Sequence, residues 1–176
     1  MAGAVAVAVA VAAGGCTAAP TGSPAASLEG SSPAAPSGRA TRSITVVPLP
    51  LAEPAEREEA GIAFAFDPSA ADELAQSLPT DLDWDASAVV CVYLGRRAEG
   101  GWSLAIQSAT LVDGELRILA RETRPAAGVD RPGPTYPADC ATIDRAALAV
   151  GPLSVRADDT VSDEFIVSAE VEVPAP

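Results

Sequence analysis

Two kinds of side chain in this 176-residue sequence could take part in chemistry: closely spaced carboxylates and three cysteines. Asp81, Asp83 and Asp85 alternate, so an extended strand would place all three on one face. Paired carboxylates can hydrolyse glycosides, and alternating oxygen ligands suit Ca²⁺, although the glycine and distal glutamate of an EF-hand loop are missing here. Such clusters are usually solvated turns, and the same holds for a second acidic group later in the chain. A hydrolase or a calcium-binding protein is therefore a minor alternative. That second group is Asp158, Asp159, Asp163 and Glu164.

The composition excludes several other classes of site. The chain contains no histidine and no lysine, which removes Ser-His-Asp and Cys-His catalysis, histidine-ligated zinc and Schiff-base chemistry. A net charge of −13 and eleven scattered arginines argue against nucleic acid, whose binding depends on clustered positive charge. We therefore predict a protein that is not an enzyme, with no cofactor, no metal and no nucleic-acid partner.

The first 43 residues read as an export signal followed by a tether. "AVAVAVAVAA", residues 4–13, is too short to span a bilayer but has the length of a signal-peptide hydrophobic region. "AGGC" then resembles the lipobox of bacterial lipoproteins, which predicts a signal peptide at 1–15 and an acylated Cys16. Ala13 stands where leucine is usual, and no basic residue precedes the run. A plain secretory signal or a valine-rich strand is the alternative.

Residues 16–43 are rich in Ala, Pro, Ser and Gly, a composition too poor in apolar side chains to fold, so a disordered tether is expected. The localisation predicted is extracytoplasmic and anchored to the cell membrane by lipid. With Cys16 acylated in an exported chain, Cys91 and Cys140 are left to form a disulfide; two separate buried thiols are the alternative.

Residues 44–176 are expected to form one globular domain. "SITVVPLPLA" predicts an edge strand because of its prolines, "EPAEREEAG" one or two acidic helical turns, and "GIAFAFD" a half-buried strand. A helix should begin after Asp67, with Pro68 at its first position, and end near Pro79. "SAVVCVYLG" is apolar on both faces, which predicts a central strand.

A hairpin should follow, with Asp113-Gly114 as its type I′ turn, and then three more strands, "CATID", "LSVRA" and "EFIVSAEVEV". On the last strand we expect one apolar face, formed by Phe165, Val167, Ala169, Val171 and Val173. The predicted fold class is α+β, mainly β: an antiparallel sheet or small sandwich with one packed helix.

The stretch from about residue 83 to 145 resembles the C-terminal domain of the PrcB family, small exported proteins named after an accessory subunit of a bacterial surface protease complex. The resemblance rests on the order and spacing of short elements before and within the predicted strands. We interpret these residues as structural. They are Asp83, Trp84, Leu94, Gly95, Arg96, Gly100, Gly101, Trp102, Glu122, Pro125, Tyr136 and Pro137.

The resemblance implies a noncatalytic lipoprotein that binds and stabilises another envelope protein, such as a protease. A passive envelope lipoprotein, or one that binds a small ligand, is the alternative. The resemblance does not extend to residues 151–176, which could continue the same sheet or form a separate layer.

Overall fold

Two packed β-sheets and one short helix form the part of the chain that the structure, a computed structural model, describes: residues 40–50, 52–126, 132–162 and 164–175. The helix is α1 (Pro68–Leu74), and a 3₁₀ turn covers Arg145–Ala147. The strands are β1 (Thr41–Ile44), β2 (Val46–Pro48), β3 (Glu53–Pro54), β4 (Ala60–Ala65), β5 (Ala75–Gln76), β6 (Ser87–Leu94), β7 (Ser103–Val112), β8 (Glu115–Thr123), β9 (Ala138–Asp144), β10 (Gly151–Asp159) and β11 (Phe165–Val173).

The larger sheet has the order β1-β7-β8-β10-β11, and the smaller has the order β2-β9-β6-β4, while β3 and β5 form a separate two-stranded ribbon. This confirms the predicted mainly β fold with one packed helix. One pairing departs from the antiparallel expectation, because β10 runs parallel to β8. Since β11 pairs with β10, residues 151–173 extend the sheet that the β7–β8 hairpin begins.

The main core lies between the two sheets, and a second core lies on the other face of the smaller sheet. β6 contributes Val90 and Val92 to the first core and Val89 and Tyr93 to the second. Leu74 of α1 packs in the second core. Burial of β6 on both faces confirms its predicted central position and explains why its sequence is apolar throughout.

The hairpin turn and the start of α1 follow local sequence rules. Asp113 and Gly114 both have positive φ, 52° and 88°, as a type I′ turn requires. The Asp67 carboxylate accepts a hydrogen bond from the Ala70 N–H at 2.9 Å, and Pro68 occupies the first turn. Both predictions are confirmed.

The helix ends at Leu74 and not near Pro79, because tertiary contacts engage its last carbonyl. The Leu74 C=O accepts from the Ala55 N–H at 2.8 Å and from the Tyr93 hydroxyl at 2.9 Å. The next two residues form β5 and pair with β3. The prediction of acidic helical turns around residues 53–61 is also wrong, because Glu53–Pro54 is extended and pairs with β5 in that ribbon.

The region predicted as one edge strand near residue 44 contains two strands that belong to different sheets. β1 pairs with β7, and β2 pairs with β9. β1 begins at Thr41, so the predicted end of the tether at residue 43 is wrong by three residues. Cys16, the signal peptide and the tether up to residue 39 lie outside the described residues.

Asp139 of β9 joins the two sheets by a hydrogen bond. Its carboxylate accepts from the Ile106 N–H at 2.7 Å, at the point where the β7–β8 register shifts. Burial raises the pKa of Asp139, although the N–H donors of Ile106 and Cys140 act in the opposite direction. An acidic side chain therefore holds an inter-sheet contact that the sequence pattern does not reveal.

Candidate functional site

A disulfide links Cys91 of β6 to Cys140 of β9. The two residues are direct cross-strand partners, with Cα atoms 4.2 Å apart and an S–S distance of 1.98 Å. Both side chains are buried in the second core, beneath α1. The predicted pair is confirmed, and a disulfide of this kind is compatible with an extracytoplasmic location.

A cavity of about 550 Å³, here called the end cleft, opens where the strands meet at one end of the sandwich. Its apolar wall includes Leu94, at the end of β6, and Phe165 and Ile166, at the start of β11. Phe165 is 54% exposed and Val161, on the rim, is 73% exposed. The end cleft therefore combines a concave surface with large apolar groups in contact with solvent.

Two arginines of the end cleft converge on one indole ring. The guanidinium carbons of Arg97 and Arg124 lie 5.3 Å and 5.5 Å from the Trp102 ring centroid, within the range of cation–π attraction. Arg124 is also 3.4 Å from the Glu122 carboxylate, whereas the Nε of Arg97 is buried and has no hydrogen-bond partner among the described residues. Trp102, predicted as structural, thus orients two cationic side chains.

Asp159 organises the turn between β10 and β11 at the rim of the end cleft. Its carboxylate accepts from the N–H groups of Glu122 at 3.0 Å, Val161 at 3.2 Å and Ser162 at 2.9 Å, and from the Ser162 hydroxyl at 2.8 Å. The Glu122 N–H is the largest cause of a pKa lowered to about 2. Asp159 is therefore an ionised structural anchor.

Several residues of the family-like pattern meet near the end of β6. Gly95 has a φ of 71°, and the Pro137 C=O accepts from the Leu94 N–H at 2.9 Å. The Tyr136 hydroxyl donates to the Glu58 carboxylate at 3.1 Å, which raises the pKa of Tyr136, and Arg96 is 4.0 Å from the same glutamate. These contacts agree with a structural role for the group.

The remaining glycines and the proline of the pattern lie in the loops beside this group. Gly101 has a φ of 89°, Gly100 is buried and Pro125 is half-buried. None of these three residues lines the end cleft.

Asp83 and Trp84 lie before β6 and hence at its opposite end. The Asp83 carboxylate accepts from the N–H groups of Asp85 and Ala86 at 3.1 and 3.2 Å. Residues 80–86 contain turns and no strand, so Asp81, Asp83 and Asp85 lie in the kind of turn that is usual for such clusters and not on one face of a strand. In the second acidic group Asp158 pairs with Arg156, Asp159 anchors its turn, and Asp163 lies outside the described residues.

Arg97, Arg124 and Arg145 are not among the predicted site residues, and Phe165 is predicted only for the apolar face of the last strand. Arg145 donates to the carbonyls of Trp84 and Ala175 at 3.0 and 3.1 Å and so ties the C-terminal residues to the turn before β6. Sequence spacing does not predict that Arg124 contacts Trp102 or that Arg145 contacts Trp84, because these partners are distant in sequence. For Asp159, in contrast, the serine three residues later is a recognisable turn signal.

Within the described ranges, no three His, Cys, Asp or Glu side chains are grouped so that they could hold a metal ion. The same ranges contain no helix with the length and apolar character needed to cross a membrane.

No family model, no curated protein and no solved structure matches the chain. The fold and the Cys91–Cys140 link define a disulfide-bonded β-sandwich, and the end cleft is its candidate functional site.

Proposed function

We propose that this protein is a noncatalytic, extracytoplasmic lipoprotein that binds another envelope protein through the end cleft. The observation that carries the proposal is the cleft itself, with Phe165 and Val161 exposed at its mouth and paired arginines in its wall. Exposed aromatic groups and arginine are enriched at protein interfaces. The resemblance to the PrcB family supports the more specific role of an accessory or stabilising subunit of an envelope protease.

A noncatalytic role is supported by the positions of the carboxylates. Asp83 and Asp159 accept hydrogen bonds from backbone N–H groups of their own turns, which are structural uses of a carboxylate. The alternative of a lipoprotein that binds a small ligand is favoured by one observation: the volume of the end cleft lies in the range of small-molecule sites.

The partner can be sought by photocrosslinking in intact cells. A photoreactive phenylalanine analogue in place of Phe165 should crosslink to one envelope protein that mass spectrometry identifies repeatedly, and a protease would support the accessory role. The matched control is the same analogue at Val150, which is 62% exposed and precedes β10 at its other end. Equal crosslinking from both positions, or none from Phe165, would contradict the proposal.

Membrane attachment is tested separately. Growth with a radioactive fatty acid should label the wild-type protein and leave Cys16→Ser unlabelled, because an acylated cysteine anchors a lipoprotein. Cys91 and Cys140 provide an internal control, since a disulfide-bonded cysteine is not available for acylation. Label that persists in Cys16→Ser would exclude Cys16 as the anchor.

A further inference from the structure

Arg97 is held in the wall of the end cleft by its backbone. Its N–H donates to the Thr135 C=O at 2.8 Å and its C=O accepts from the Thr135 N–H at 3.0 Å, so the two residues form an isolated β-bridge. The side chain then lies against Trp102. A backbone fixed on both sides and a guanidinium placed on a ring give a preorganised cation.

The Arg97 Nε is a buried donor without an acceptor in the described part of the chain. A buried, unsatisfied donor is costly, and hydrogen bonds from charged donors are among the strongest in proteins. Arg97 also lines the end cleft, so an acceptor that enters the cleft, above all a carboxylate, would gain more from this preorganised guanidinium than from an exposed arginine.

The carboxylates that line the end cleft are not hydrogen-bond partners of Arg97. Glu122 pairs with Arg124, and Asp159 is occupied by four hydrogen bonds from its own turn and from Glu122. Glu164 is exposed at the rim, where solvent screens its charge. The negative charge of the chain as a whole is also screened within about 8 Å at physiological salt.

We propose that Arg97 binds a carboxylate of the partner polypeptide, while Phe165 and Ile166 contact an adjacent apolar side chain. This inference rests on the proposed function and specifies the ligand of the same cleft. A peptide fits better than an isolated acid because the end cleft places apolar side chains, Phe165 and Ile166, in the same cavity lining as Arg97. The carboxylate can be the C terminus of the partner or an Asp or Glu side chain.

The test uses the full chain with its disulfide intact and three acetylated tetrapeptides, at concentrations up to millimolar. They are GAVL as the free acid, GAVL as the amide, and GADL as the amide. Binding is followed by nuclear magnetic resonance through the Arg97 Nε–H and the Trp102 indole N–H. The GAVL acid should shift both signals and the GAVL amide should not. Binding of the GADL amide as well would show that the site also accepts a side-chain carboxylate, and its failure to bind would assign the site to a C terminus.

Arg97→Gln should weaken binding of the GAVL acid about tenfold or more, as expected for the loss of a charged hydrogen bond. Arg121→Gln, on an exposed position of β8, is the matched control and should bind as wild type. Arg97→Lys keeps the charge and serves if Arg97→Gln does not fold; it should bind more weakly than wild type, because it lacks the planar donor.

Equal binding of the GAVL acid and amide, unchanged binding in Arg97→Gln, or no binding of any peptide would overturn the assignment. A different result would contradict the proposed function, namely the absence of a specific crosslink at Phe165. A specific crosslink together with no carboxylate preference would leave the interaction module intact and remove only the role of Arg97.

Discussion

At the scale of single residues, Gly95 controls how closely two segments approach. A Cβ at this position would lie 2.7 Å from the Ala60 N and 2.8 Å from the Glu58 O, both backbone atoms that cannot move aside cheaply. Its φ of 71° adds a separate cost for any other residue. The glycine therefore permits the end of β6 to pack against the start of β4, where the end cleft begins.

We predict that Gly95→Ala lowers the free energy of unfolding by about 2 kcal/mol or more, since it combines a steric clash with left-handed backbone. Urea unfolding followed by circular dichroism measures the change. Gly61→Ala is the matched control, because nothing lies within 4 Å of its Cβ position and its backbone is extended, and it should change stability little. Equal effects at both positions would show that the close approach at Gly95 is not a constraint.

Asp159 predicts a specific dependence of stability on pH. Its pKa in the folded protein, about 2, is below the ordinary 3.8, so its ionised form stabilises the fold above about pH 4 and this contribution is lost as the pH falls towards 2. Asp159→Asn should therefore be less stable than wild type at neutral pH, and the difference should shrink on acidification.

Acid titration of unfolding free energy in wild type and Asp159→Asn measures this difference. Glu164→Gln changes an exposed carboxylate of the same turn and should follow wild type at each pH. A difference between wild type and Asp159→Asn that stays constant from neutral to low pH would mean that the carboxylate charge contributes nothing.

At the scale of elements, β6 and β9 are joined both by their ladder and by the Cys91–Cys140 disulfide. The two cysteines are 49 residues apart, and the link crosses the centre of the smaller sheet. In the chain-entropy description, closing such a loop restricts the unfolded chain and stabilises the fold by about 4 kcal/mol. The short α1 packs over this link in the second core.

Replacing both cysteines by alanine should accordingly lower the free energy of unfolding by about 4 kcal/mol. Urea unfolding of the double variant, compared with wild type with and without reductant, measures the loss. Wild type with reductant should approach the stability of the variant. If reductant does not change the wild-type curve while mass spectrometry confirms that the bond is open, the link is not an important source of stability.

At the scale of the whole molecule, the fold begins earlier than composition suggests. Ile44 of β1 is buried in the main core, and β1 forms one edge of the larger sheet through its pairing with β7. β2 follows directly and lies at an edge of the smaller sheet. A single residue, Thr45, thus connects the edge strands of the two layers of the sandwich.

A chain that begins at Ala40 should keep the unfolding free energy of the full chain, whereas a chain that begins at Val46 should lose about 2 kcal/mol or more, because it lacks β1 and the burial of Ile44. Thermal or urea unfolding of the two shortened chains makes the comparison. Identical stability of the two would show that residues 40–45 do not contribute to the stability of the fold.

The sequence by itself determined the local and patterned features. Period-two alternation and the Asp113-Gly114 turn predicted the hairpin, an apolar run predicted the central β6, Asp67-Pro68 predicted where α1 begins, and the count of cysteines predicted the disulfide. Each of these depends on side-chain chemistry or backbone preference within a few residues, or on simple counting. They could be read without knowing which strand lies beside which.

Only the tertiary structure decided the features that depend on distant partners. α1 ends at Leu74 because Ala55 and Tyr93 engage its last carbonyl. Phe165, expected in the core, is exposed because the β10–β11 register shifts beside it. The end cleft itself arises where the ends of strands far apart in sequence meet, so no local pattern could have predicted it.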